Sequence, residues 1–451
     1  MGFFTEAGAR LPYADVVTDV QGPLTGADQH ASESVDVRRT KLVALIKTET
    51  AKLSGPGSSE PLARIAAEHD DLCEAMLRSV DAAPSDAVAI AEGLLRFWTI
   101  TGQRAAGRTW CMRTADASTD AVSRIRFRLY EAQLARDEGD PSAPAALESL
   151  VAAAREVRHP PTVGLGLTLI APIAFTSGRI SEAKQMASEA LTLLRLAGPT
   201  RNVVETVNLL GNAATVEGES HAAFAFYEDA LAISREAGMQ DLVCKVLLNL
   251  GSLSVARSNF ARAREYYTEA RELAEPLGDA VVRSAATTNL GVIAKAQGDY
   301  RTARRLLDDA LEMKREMGDT KGTAIVLQGL ADLDRFEERY DSAQQLIRES
   351  LEACRALGFS IGMISGLETF AALLGHAGDA ENGLRMAAAA DAARTQTGQR
   401  RSTEDTADFD GALGTLRAGV AEDDARRWWD EGLALSLADA VDRVLALPRA
   451  G

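Results

Sequence analysis

Residues Val282–Gly318 read VRSAATTNLGVIAKAQGDYRTARRLLDDALEMKREMG, and this stretch decides the fold. Ala286, Leu290, Ile293 and Ala294 recur at helical spacing, which predicts one helix from Val282 to Lys295 with an apolar face. Gln297-Gly298-Asp299 interrupts it. Gly298 can adopt the left-handed backbone that closes a helix, and Asp299 can accept backbone N–H bonds at the start of the next. Ala303, Leu306, Leu307, Ala310 and Leu311 then form the apolar stripe of a second helix, which Gly318 ends. Asp319 or Thr320 can cap the unit that follows.

This helical hairpin is one of a series. Gly198, Gly238, Gly278, Gly318, Gly358 and Gly398 fall 40 residues apart without slippage. A second series, Gly178, Gly218, Gly298 and Gly378, lies halfway between, with Ser258 and Glu338 in its two gaps. Ala183, Ala223, Ala263, Ala303 and Ala343 make a third. Gly211, Gly251, Gly291 and Ala331 place small residues where the two helices of a hairpin approach each other. A hairpin of this size leaves an apolar face uncovered unless it stacks on a neighbour, so a fixed period of this length predicts an all-α solenoid.

Asn249-Leu250-Gly251 with Ala263, Tyr267 and Ala270 resembles a tetratricopeptide repeat, as does Asn289-Leu290-Gly291 with Ala303, Leu307 and Ala310. The units are longer than the usual 34 residues. They lack the family's early tryptophan, and only Pro276 stands where a closing proline belongs. The tail, Phe409-Asp410-Gly411-Ala412-Leu413 followed by Trp428-Trp429-Asp430-Glu431-Gly432 and Leu435-Ser436-Leu437, is similar to the end of AfsR-like and LuxR-type bacterial signal-transduction ATPase regulators. That resemblance covers about residues 61–447. It implies a repeat region of the kind those regulators carry at their C-terminus. No G-x-x-x-x-G-K-[ST] occurs, so their nucleotide chemistry does not transfer to this sequence.

Four segments are expected. Residues 1–60 form an extension with loop chemistry at Gly22-Pro23, Gly26 and Ser54–Ser59 and one helix from Val37 to Leu53. Residues 61–160 hold degenerate helical repeats, and 161–398 hold six regular units beginning near 162, 202, 242, 282, 322 and 361. Residues 399–451 form a helical cap, with Phe409, Leu413, Leu416 and Val420 on one helix and Trp428, Trp429 and Leu433 on another. Ser436, three residues before Asp439, starts a last helix.

Composition narrows the function. The 451-residue chain carries a net charge of −16, and no cluster of Lys and Arg offsets it, which argues against direct contact with nucleic acid. The apolar run Val163–Phe175 contains Pro172 and is too short to span a bilayer. The start of the chain lacks a signal-peptide pattern. Cys73, Cys111, Cys244 and Cys354 are widely spaced and read as buried free thiols, in keeping with a cytoplasmic protein. No H-E-x-x-H or C-x-x-C occurs, and His69 on an apolar stripe reads as an interface residue, so no catalytic grouping, metal or cofactor is expected.

The first helices of such hairpins line a groove. The polar positions expected to face it are Asn208, Asn212, Lys245, Ser252, Thr288, Lys295, Gln328, Asp332 and Arg335. The tetratricopeptide resemblance also implies a clamp for a peptide C-terminal carboxylate, built from Lys, Arg and Asn in consecutive units. Asn212 matches one clamp position, whereas Ser252, Val292 and Asp332 depart from it, so the full clamp is absent. Lys245, Lys295 and Arg335 come from three successive first helices and are expected to present cations that one extended or acidic ligand touches together. These observations favour a non-enzymatic scaffold that binds a protein, peptide or small-molecule effector in its groove, in regulation. An enzyme or accessory protein of a biosynthetic pathway, with its site in the groove, is the alternative. A repeat fragment of a longer regulator and an oligomer both remain open.

Overall fold

A computed structural model describes residues 35–448 apart from 54–58, 196–197, 199, 400 and 402. The loop chemistry expected at Gly22, Pro23, Gly26 and residues 54–58 lies outside the described residues. Within them are 22 helices and no strand. Three helices come first: α1 (Val35–Lys52), α2 (Ser59–Ala67) and α3 (His69–Ser79). Five hairpins follow: α4 and α5 (Pro84–Ile100, Arg104–Ala117), α6 and α7 (Ala121–Asp137, Ala143–Glu156), α8 and α9 (Pro160–Thr176, Ile180–Leu194), α10 and α11 (Arg201–Val216, Ser220–Glu236), and α12 and α13 (Gln240–Ala256, Phe260–Leu277). Three more are α14 and α15 (Ala280–Ala296, Tyr300–Glu316), α16 and α17 (Thr320–Phe336, Tyr340–Leu357), and α18 and α19 (Ser360–His376, Ala380–Thr397). The chain closes with α20 (Thr403–Arg417), α21 (Glu422–Leu433) and α22 (Leu437–Ala446).

The described residues group into two compact units, one running to Arg283 and the other from Ser284, so the division falls in the first turn of α14. In the first unit, successive first helices touch one another: α4 meets α6, α6 meets α8, α8 meets α10, and α10 meets α12. No comparable contact joins successive second helices among the described residues. The first helices are therefore the inner, concave layer of this unit. In the second unit α16 and α18 touch in the same way. There α21 packs on α19, α22 on α17, and α20 on α18, so the closing helices cover both layers of the last hairpin. Trp428 and Trp429 are half-buried against that core.

The repeat signature has a local cause. At the turn inside each hairpin the backbone takes a left-handed conformation, with φ of 77° at Gly298. Where glycine is missing from this series, Ser258 and Glu338 are forced into it, with φ of 56° and 59°. The small positions on the first helices answer to large side chains on the second. A Cβ on Gly251 would stand 2.5 Å from the ring of Tyr267, and one on Gly291 would stand 2.9 Å from Leu307 Cγ. Pro172 lies inside α8, which is buried along almost its whole length. The apolar run Val163–Phe175 is thus an inner-layer helix, and no helix of the described residues is long and apolar enough to cross a membrane.

Candidate functional site

Asn208 and Asn212 lie one turn apart on α10, and Asn249 lies on the neighbouring α12. The Asn249 amide donates to Asn208 Oδ1 at 2.8 Å and to Asn212 Oδ1 at 3.3 Å. Asn212 is buried and also accepts from the Tyr227 hydroxyl at 2.8 Å, which ties the inner layer to α11. Tyr227 fits because Gly211 leaves room for its ring. One repeat on, Ser252 and the Tyr267 hydroxyl stand 3.0 Å apart. The half-buried Asn208 and Asn249 keep an amide N–H₂ and a carbonyl oxygen, respectively, without a partner among the described residues. Lys245 is exposed on the same helix as Asn249.

The expected positions of the second unit behave differently. Thr288 is buried and turns its hydroxyl back to the Ser284 carbonyl at 2.8 Å. Gln328 donates to Ser350 Oγ at 3.1 Å and to the Gly362 carbonyl at 2.7 Å, so both its N–H groups brace the fold. Lys295 is ion-paired with Asp332 at 3.0 Å, and Asp332 also accepts from the Thr369 hydroxyl. Arg335 pairs with Asp408 of α20 at 2.7 Å and lies over the Phe336 ring. Lys295 and Arg335 are therefore cations already paired with carboxylates of the protein itself. Charged residues this deep are stable only when paired, and the sequence alone does not show which carboxylate folds back to them.

A charged cluster in the first unit went unread. Arg201 at the start of α10 binds Asp241 at the start of α12, and also reaches Glu205 at 3.3 Å. Arg96, near the end of α4, approaches the same Asp241 at 3.5 Å. Glu92 lies one turn before Arg96 and accepts from the Tyr130 hydroxyl of α6 at 3.1 Å. Glu92 is exposed to water, yet protein closes around its carboxyl, and this burial pushes its pKa up. A group on the floor of a concave face has both properties. Burial works against the charge of Arg201, but Glu205 and Asp241 outweigh it and hold its pKa above the ordinary value. Burial and the nearby Arg201 charge push the Arg96 pKa down. Arg201 and Asp241 do share the 40-residue register. Arg96 and Glu92 lie in a hairpin too degenerate for register to align them.

No group of His, Cys, Asp and Glu among the described residues is arranged to hold a metal ion. The four cysteines are buried, and burial raises Cys73 and Cys244 to about 12, so neither is a ready nucleophile. His69 accepts from the Trp98 indole at 3.0 Å, as an interface histidine does. Gly358-Phe359-Ser360-Ile361-Gly362 does spell G-x-S-x-G, a match that the absence of expected catalytic groupings passed over. It sits at a helix-to-helix turn with Gly358 left-handed and no strand before it, so the strained strand-to-helix elbow of a nucleophile is missing.

A tetratricopeptide-repeat family model matches residues 242–316 and 283–356. No curated protein matches the sequence. Among solved structures the chain is similar to the apo form of the quorum sensor NprR from B. thuringiensis, at 13% identity and TM-score 0.50, over 85% of this chain and 97% of that one. It is also similar to a signal-transduction ATPase with a tetratricopeptide-repeat sensor from Pyrococcus horikoshii, at 11% identity and TM-score 0.49, over 67% of this chain and 45% of that one. A Rap protein complexed with Competence and Sporulation Factor matches at 13% identity and TM-score 0.46, over 73% of this chain and 94% of that one. At such identities the likeness is one of fold. The regular 40-residue hairpins, the Asn-Leu-Gly inner helices and the matched family model lead to one conclusion: the chain folds as an all-α solenoid of helical hairpins that carries tetratricopeptide repeats within residues 242–356, and its fold is similar to that of the quorum sensor NprR.

Proposed function

We propose that this chain is a non-enzymatic regulatory scaffold whose first unit binds an extended peptide, free or part of a protein, along its concave layer. The observation that carries the reading is the Asn208–Asn249 pair. These amides sit on adjacent inner helices, are anchored through the buried Asn212, and keep a donor and an acceptor turned to solvent. An unused amide donor beside an unused amide acceptor matches the alternating C=O and N–H of an extended backbone. Lys245, one turn before Asn249, adds a cation that suits an acidic side chain. The fold itself serves sensing elsewhere, as in the quorum sensor NprR, but the reading rests on the groove chemistry.

The test is selection of peptides from a random display library on the full chain, followed by titration calorimetry against N208A/N249A. Binding of the selected peptides is expected to fall about tenfold or more, because each lost hydrogen bond to a desolvated partner is worth about 1 kcal/mol. Parental affinity in the double variant, with the fold intact by circular dichroism, refutes the reading.

A further inference from the structure

The cluster around Asp241 has an unusual balance. Arg96 and Arg201 come from the first and fourth hairpins, and Asp241 comes from the fifth, so three distant segments meet over the inner layer. Arg201 is well served, by Asp241 and Glu205. Arg96 is not: its polar contacts are the Thr50 carbonyl of α1 and Asp241, each at 3.5 Å. For a guanidinium, whose charge-assisted bonds lie at about 2.7–2.9 Å, both are long. Its side chain is 19% exposed, so solvent and solutes reach it. One carboxylate is thus stretched between two guanidiniums and closes on only one of them. This happens in a chain of net charge −16, where spare carboxylates are plentiful and a poorly compensated arginine is out of keeping with its surroundings.

We propose that Arg96 and Arg201 form an oxyanion-binding subsite on the concave face of the first unit, with Asp241 as an internal stand-in that a ligand carboxylate or phosphate displaces. The planar guanidinium of Arg96 offers two parallel N–H groups that a ligand with two oxygens engages at full strength, as Asp241 does not. Glu92, Glu205 and Asp241 keep a highly charged polyanion out, so the subsite takes a single oxyanion group rather than nucleic acid. The proposal deepens the peptide-binding reading, since the subsite shares α10 and α12 with Asn208 and Asn249. It names the charge that such a ligand carries.

The test uses the full chain with succinate and inorganic phosphate as probes, titrated at constant ionic strength against sodium chloride. Asp241→Asn removes the internal competitor while retaining size, and is expected to tighten binding of at least one probe about tenfold. Arg96→Gln in that background should abolish the gain, and Arg96→Lys should restore part of it. Succinate favoured over phosphate assigns a carboxylate; the reverse assigns a phosphate. Unchanged or weaker binding of both probes by a folded Asp241→Asn protein overturns the proposal, as does a gain that survives Arg96→Gln. If Asp241→Asn fails to fold, Arg96→Gln in the parent decides, since loss of probe binding is expected and parental binding overturns the subsite. N208A/N249A should bind the probes as the parent does, so failure of the peptide reading and failure of this one are separable.

Discussion

Replacing Gly251 by Ala tests the packing rule behind the repeat. In the interior of α12 the substitution ought to help, because Ala is better than Gly in a helix by about 1 kcal/mol. The structure reverses the sign. A Cβ at this position stands 2.5 Å from Tyr267 Cε1 and 2.7 Å from Cζ. The ring is only 1% exposed and its hydroxyl is held near Ser252, so it has nowhere to swing. Overpacking of this kind costs about 1–3 kcal/mol, which leaves a net loss of about 1 kcal/mol. In a Tyr267→Ile background the obstacle is gone, and the pair becomes Ala with Ile, the types that Ala331 and Ile347 supply at the same repeat positions. There Gly251→Ala should stabilise by about 0.5–1 kcal/mol. The four proteins of the cycle are compared by urea unfolding, with hydrogen exchange on α12 and α13 to localise the effect in an array that does not unfold as one block. Gly329→Ala is the control: its nearest neighbour is Leu307 Cδ1 at 3.5 Å, so it should stabilise outright. A destabilising Gly251→Ala in both backgrounds refutes the ring contact as the cause.

Three further outcomes follow from the same geometry. Ser258→Gly and Glu338→Gly relieve left-handed strain at φ of 56° and 59°, and each should raise stability by about 0.5–1 kcal/mol in denaturant unfolding, net of the entropy glycine adds to the unfolded chain. His159 caps α8 by accepting from the Thr162 N–H, and burial with the Arg126 charge holds its pKa below 6.5. A depressed folded-state pKa means that unfolding takes up a proton, so about 1 kcal/mol of cap stability should be lost as pH falls below about 6.5. His159→Asn keeps the acceptor without titrating and should flatten that part of the pH–melting curve. Gly432→Ala puts a Cβ 2.4 Å from the Arg385 carbonyl and 2.8 Å from Ala388 Cβ, which should loosen α21 by about 2 kcal/mol and shift tryptophan emission to the red as Trp428 and Trp429 are exposed.

The sequence alone determined the period, the hairpin and its punctuation. The 40-residue glycine series marks left-handed turns because few other residues take that backbone cheaply, and Gly251 predicts close helix approach because only a missing side chain permits it. Such requirements are local, so they are written in the residues themselves. It also ranked Asn208, Asn212, Lys245 and Ser252 as inner-layer residues from register. Register says which layer a residue occupies and nothing about its partner. Only the tertiary structure decided that Gln328 and Thr288 spend their hydrogen bonds inside the fold, and that Arg335 meets Asp408 from beyond the last repeat. It alone brought Arg96 to Asp241 across four hairpins. The physical reason is that a charge accepts any carboxylate the backbone delivers within reach, and which one arrives depends on the accumulated rotation of many hairpins rather than on any short stretch of sequence.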